Sequence, residues 1–145
     1  MAKIDDFNVV GLSMITSNEA AKNQNKIGNL WDEFSKISIK CTLSEILSSS
    51  VFAVYSDYED GYKGKYRITI GYAVKGISNI PKGLSAVAIP SGNYKVYKSK
   101  SQSPEDIIET WKTIWALDPT LCQRNFRADF EEYKDNDVTI YIGYE

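Results

Sequence analysis

The chain has 145 residues, 43% of them hydrophobic and 25% charged, the composition of one globular unit and not of a disordered or fibrous chain. Lys and Arg number 17 against 19 Asp and Glu, a net charge of −2, which lacks the clustered positive charge of a phosphate-gripping domain, so direct nucleic-acid binding is not expected. No apolar run approaches the ~18 residues of a membrane span, and the opening MAKIDDFNVVGL has acids where a signal peptide has its basic start, so a cytoplasmic chain with no membrane partner is expected.

Residues 4–16 predict a strand with Phe7, Val9 and Val10 as its apolar part. Ser17-Asn18-Glu19 offers a helix start, and Ile27, Leu30, Trp31 and Phe34 form an amphipathic stripe over 20–34. Residues 38–50 are mixed, with a short helical turn carried by Ile39, Leu43, Ile46 and Leu47. A strand over 51–58 leads through a polar, Gly-bearing loop into a clean alternation over 66–74. There Tyr66, Ile68, Ile70, Tyr72 and Val74 share one face. A linker at 76–83 precedes a long strand over 84–98 that Pro90-Ser91-Gly92 should bend. Ser103-Pro104-Glu105-Asp106 is a strong helix start, followed by a stripe of Ile107, Ile108, Trp111, Ile114 and Trp115 that stops before Pro119. Strands at 123–133 and 138–144 flank a turn at 134–137.

Ile68-Thr-Ile-Gly-Tyr72 matches Ile140-Tyr-Ile-Gly-Tyr144, and each string closes a strand–helix–strand–strand series. The repeat predicts an α+β fold of two pseudo-symmetric β-α-β-β modules, about 1–78 and 79–145, in one domain with an antiparallel sheet and helices packed on one side. Gly71 and Gly143 are expected to admit a close neighbour.

Histidine is absent, which excludes Ser-His-Asp triads, Cys-His dyads and His-ligated metals. Cys41 and Cys122 form no CxxC pair and are expected as free thiols. No phosphate-binding loop is present, and the acidic run 57–60 lacks calcium-loop spacing. Lys95, Lys98 and Lys100 read as the guarded edge of a strand. Ten tyrosines, three tryptophans and five phenylalanines are the surplus, which suggests binding more than chemistry.

Six strings in order, 27–34, 66–74, 88–94 (AIPSGNY), 111–115 (WKTIW), 129–133 (DFEEY) and 138–144, span nearly the whole chain. Together they resemble the GyrI-like small-molecule-binding domain, the effector module of AraC- and MerR-type multidrug regulators that also occurs as a free-standing protein. The resemblance implies the stand-alone form, with a pocket between the two modules, aromatic walls, an internal acid and a preference for lipophilic cations. It puts Glu131 at the position of that acid, followed in the motif by Tyr133.

Read from alternation alone, Arg127, Asp129, Glu131 and Tyr133 form a polar strand face open to solvent. The resemblance instead places Glu131 inside the pocket, with Glu132 taking its role if the strand bulges by one residue. Trp31, Trp111 and Trp115 fit either a core or a ring wall that attracts cations. Among the strand tyrosines Tyr55, Tyr72, Tyr94 and Tyr97, Tyr72 ends an apolar face and joins the candidates with Tyr55. The candidate ligand-binding set is Glu131, Tyr133, Trp111, Trp115, Trp31, Tyr72 and Tyr55, with no catalytic residue, metal or cofactor.

The leading function is non-enzymatic binding of a lipophilic, cationic, aromatic small molecule for sensing or sequestration. Two alternatives stand beside it. One is a protein–protein modulator like the gyrase inhibitors that name the family. The other is a small-molecule hydrolase in which Glu131 and a tyrosine activate water. Either a monomer or a homodimer joined through an edge strand fits.

Overall fold

Eight strands and two helices follow one another along the described residues: β1 (Ala2–Ile4), β2 (Phe7–Ser17), α1 (Lys26–Lys36), β3 (Val51–Ser56), β4 (Lys65–Val74), β5 (Ser85–Ile89), β6 (Gly92–Lys98), α2 (Pro104–Ala116), β7 (Arg124–Lys134) and β8 (Asp137–Tyr144). This computed structural model describes residues 2–17, 26–37, 39, 43, 46–59, 64–77, 80–117 and 124–145. Cys41, Cys122 and Asp60 lie outside them, as do residues 38, 40–42 and 44–45 of the mixed stretch and the start of the first expected helix, while Ile46, expected in a helical turn, forms an isolated antiparallel bridge with Val74. Among the described residues, no helix is long and apolar enough to cross a membrane.

The strands form one curled sheet in the order β1-β6-β8-β7-β3-β4-β2-β5, antiparallel throughout. The two β-α-β-β modules meet where β3 pairs with β7, and the register there turns about Val54 opposite Phe130. On either side of that pair, Ala53 faces Glu131 and Tyr55 faces Asp129. Tyr55 stands opposite Ile68 and Glu131 opposite Ile140, and these isoleucines are matching residues of the sequence repeat. Tyr55 and Glu131 are therefore equivalent positions of the two modules.

The strand ahead of each module crosses to the other one. β1, which precedes β2, pairs with β6, and β5, which precedes β6, pairs with β2. The single strand expected over 4–16 is thus two strands, broken at Asp5-Asp6, with the first paired far from the second. The bend expected at Pro90-Ser91 is present, and Gly92 there takes φ +155°. β6 is not the outermost strand, as the guarded-edge reading had it. β1 covers Gly92 to Tyr94, however, and among the described residues Lys95 to Lys98 pair with β8 alone.

Both faces of the sheet are covered. On one, the sheet curls over a core of Val9, Phe52, Val54, Ala73, Ile89, Tyr94 and Phe130. Tyr94 belongs to this core and donates its hydroxyl to the Pro90 carbonyl at 2.6 Å. On the other face, Leu30 of α1 packs on Ala53, Ile68 and Ile70, while Trp111 and Ile114 of α2 pack on Ile140 and Ile142. The alternation read over β4 is the one observed. The expected α2 stripe is broader than the buried one, because Ile108 is 48% and Trp115 38% exposed on its flank.

Gly11 and Gly71 oppose each other in the β2–β4 ladder. A Cβ on Gly71 would lie 2.0 Å from the Val10 carbonyl oxygen. A Cβ on Gly143 would lie 2.8 Å from both the Ala128 carbonyl oxygen and Asn125 Oδ1. Both are close approaches that only glycine allows.

Candidate functional site

α2 begins where its sequence dictates. Ser103 caps it, accepting from the Asp106 amide, Pro104 opens the first turn, and Glu105 and Asp106 lie at its positive end. That start sets the rotation that turns Trp111 inward. β7 alternates across the seam, so Glu131 and Tyr133 turn toward the helices while Phe130 and Glu132 turn to the other side. Tyr141 donates to Glu132 there at 3.4 Å. Glu131, not Glu132, is the residue on the helix side.

The reading of that β7 face as solvated is overturned: Asp129 is 0% and Glu131 2% exposed. The reason is tertiary: the helix side chain of Trp111 lies over Glu131, and Arg124 and Tyr58 close over Asp129.

Three aromatic side chains donate to the Glu131 carboxylate. Trp111 Nε1 reaches Oε2 at 2.6 Å, Tyr55 reaches the same oxygen at 3.3 Å, and Tyr133 reaches Oε1 at 2.7 Å. Burial pushes the Glu131 carboxyl above the usual carboxylate range, and the bonds from Tyr133, Trp111 and Tyr55 offset part of that rise. Burial, with the Glu131 charge behind it, also pushes up the hydroxyls of Tyr55 and Tyr133.

Rings extend from the carboxylate in two directions. Toward α1, Trp31 meets Tyr133 edge-on at 4.8 Å, Phe34 follows at 6.0 Å, and Tyr72 lies 5.7 Å beyond it. Toward α2, Tyr55 meets Trp111 at 5.2 Å, and Trp115 lies 6.0 Å from Trp111. All seven sequence-derived candidates fall in this one chain of contacts. Phe34 and Tyr66, whose ring is 5.6 Å from Tyr55, also belong to it. Both stand on the apolar faces read from the sequence, a signal that could have found them. Tyr97, by contrast, packs from outside against the α2 core.

Asp129, two residues earlier, is a second buried carboxylate with a different set of partners. The β7–β8 register shifts between Arg124 and Asp129, and Phe126 takes φ +52° within the bulge. Arg124 is thereby returned to Asp129, with Nη2 2.7 Å from Oδ2. Tyr58 and the Gly143 amide also donate to Asp129. Asp129 thus has a buried cation of its own. Glu131 has three neutral donors and, among the described residues, no positively charged partner. Among the described residues no group of metal-ligating side chains comes together.

Residues 1–143 match the profile of the Cass2 family, described as integron-associated effector binding protein. YobU of Bacillus subtilis (strain 168), named as a candidate transcriptional regulator, is 33% identical over 143 residues, 92% of this chain and 89% of YobU. An integron cassette protein from the mobile metagenome of Vibrio cholerae shares the fold with a TM-score of 0.82 and 26% identity, over 99% of this chain and 94% of that one. The structure of SAV2435 bound to tetraphenylphosphonium gives a TM-score of 0.81 at 14% identity, over 99% of this chain and 92% of that chain, a likeness of fold.

Proposed function

The chain belongs to the Cass2 family of integron-associated effector binding proteins, and on that premise we propose that it binds a lipophilic, cationic, aromatic small molecule among the rings around Glu131, for sensing or sequestration. The observation that carries this reading is the carboxylate buried to 2% exposure, bonded to three aromatic side chains and lacking a cation among the described residues. A buried carboxylate without a positive partner is costly, and a ligand cation supplies what Arg124 supplies to Asp129. Rings that border such a site add about 0.5–2 kcal/mol for each cation–π contact. The tetraphenylphosphonium bound to a protein of the same fold supports the ligand class.

The rings touch one another, so a ligand enters by parting them. Trp31 on α1 is half-buried and Trp115 on α2 is exposed, which makes these outer rings the ones to move, while Trp111 stays with Glu131. The tyrosine hydroxyls beside Glu131 are pushed up, not down, so none is poised to give up its proton to a reaction.

The test is tryptophan fluorescence of the whole chain titrated with tetraphenylphosphonium and, separately, with neutral triphenylphosphine oxide. Saturable quenching by the cation at concentrations where the neutral compound does little is expected. An equal response to both overturns the charge selectivity, and no response across a panel of lipophilic cations overturns the reading.

A further inference from the structure

Tyr55 and Ser56 are consecutive residues of β3, so they face opposite sides of the sheet. On the Ser56 side lies a cavity of about 550 Å3, lined by Ser56, Asp57, Arg67, Arg127 and residues 85–88 of β5. Its walls differ in kind from the aromatic cluster. Two guanidinium groups face one carboxylate. Arg67 Nε is 3.0 Å from Asp57 Oδ2, and at 35% and 70% side-chain exposure the pair is a solvated one that exchanges partners readily. Arg127 is exposed, and among the described residues its guanidinium has no hydrogen-bonded or ion-paired partner.

Ser56 is the second observation. It is 4% exposed, and among the described residues its hydroxyl has no hydrogen-bond partner. Such orphaned groups are rare in folded proteins and call for an explanation. The opposite wall is the outermost strand β5, which among the described residues pairs with β2 on one side only. Its free side offers backbone polar groups next to the small apolar side chains of Ala86, Val87 and Ala88.

From this wall chemistry we propose that the cavity is a second ligand site that takes a small organic oxyanion, a carboxylate or phosphate group carried on an apolar body. Arg127 and Arg67 hold the charge, the alanines and Val87 line the organic part, and the Ser56 hydroxyl, closed off from solvent as it stands, turns on its short side chain to gain a partner. The cavity volume falls within the range of small-molecule sites. The protein then presents opposite charge to ligands on its two faces, Glu131 on the helix side and the arginines on the curled side.

Backbone-amide NMR of the whole chain, titrated with benzoate and with phenyl phosphate beside uncharged benzyl alcohol, tests this. Saturable shifts at the amides of Ser56, Arg127 and residues 86–88 are expected for at least one anion, with little response to benzyl alcohol. The tighter anion identifies the head group. In Arg127→Ala, an exposed site where the fold is expected to persist, anion affinity falls at least tenfold, about 1.4 kcal/mol, while the fluorescence response to tetraphenylphosphonium is unchanged. No saturable shift from either anion at millimolar concentration, an equal response to benzyl alcohol, or anion binding unaltered by Arg127→Ala overturns the proposal. Each result is independent of whether the Glu131 site binds its cation.

Discussion

Glu131→Gln removes one negative charge from the centre of the aromatic cluster and keeps the side chain's length and an acceptor oxygen for Trp111. A cation centred about 5 Å from the carboxylate, at an effective dielectric near 20, is attracted by roughly 3 kcal/mol. Not all of this is seen as affinity. The empty carboxyl is held above its usual range by burial, so part of the attraction goes into keeping the proton off. The amide dipole of the variant recovers a further part. The expected loss is therefore about 1.4–3 kcal/mol, or tenfold to roughly a hundredfold in Kd. Fluorescence titration with tetraphenylphosphonium measures it, with triphenylphosphine oxide as the neutral comparison. The wild-type affinity for the cation should weaken as pH falls through the raised Glu131 pKa, and that of the variant should stay flat. Because the folded pKa is raised, the group's contribution to stability is fully present below its unfolded pKa and is lost as pH rises through the folded one. At neutral pH the variant should thus unfold no earlier than wild type. Unchanged cation affinity would refute the reasoning. An equal loss for the neutral compound would refute it too, since the effect would then lie in ring packing and not in charge.

Asp129→Ala should destabilise the fold by about 3–5 kcal/mol in denaturant unfolding, because it strands Arg124, its side chain 7% exposed, without its counter-charge. Gly71→Ala forces a methyl to within 2.0 Å of the Val10 carbonyl oxygen, and a loss above ~4 kcal/mol or failure to fold is expected. Ser103→Ala removes the α2 cap and should cost ~1 kcal/mol by the same measurement. Tyr66 and Tyr94 are pushed up to about 12, chiefly by burial. The stability they contribute is fully present below the ordinary tyrosine value of 10.0 and is lost as pH rises through about 12, so the thermal midpoint should fall across that window.

Local signals carried much of this fold. The Ser103-Pro104 start, the alternation of β4, the Pro90-Ser91 bend and the matching strings at 68–72 and 140–144 are properties of short segments, and each appears in the structure where its chemistry places it. What was not legible depends on distant partners. Ala2–Ile4 is a strand only because β6 lies beside it. Arg124 and Asp129 look like ordinary surface charges until the bulge at Phe126 folds one onto the other. The site shows the same division. Alternation correctly put Glu131 and Tyr133 on one face, but no periodicity says that helices cover it. Only the resemblance pointed inward. The Tyr55 hydroxyl's bond to Glu131 depends on pairing between the modules, which sequence spacing does not show.

The crossing of β1 and β5 bears on how the chain reaches this state. Ala2 waits for Tyr94, and β7 must be made before β3 gains its second neighbour. Contacts so distant along the chain close late, so folding should be slow for a protein of this size and completed only near the end of synthesis. A chain cut between β4 and β5 would yield two pieces, each carrying a strand that completes the other's sheet. Such pieces are built to find each other, and the ladders that delay the intact chain would hold the severed one together.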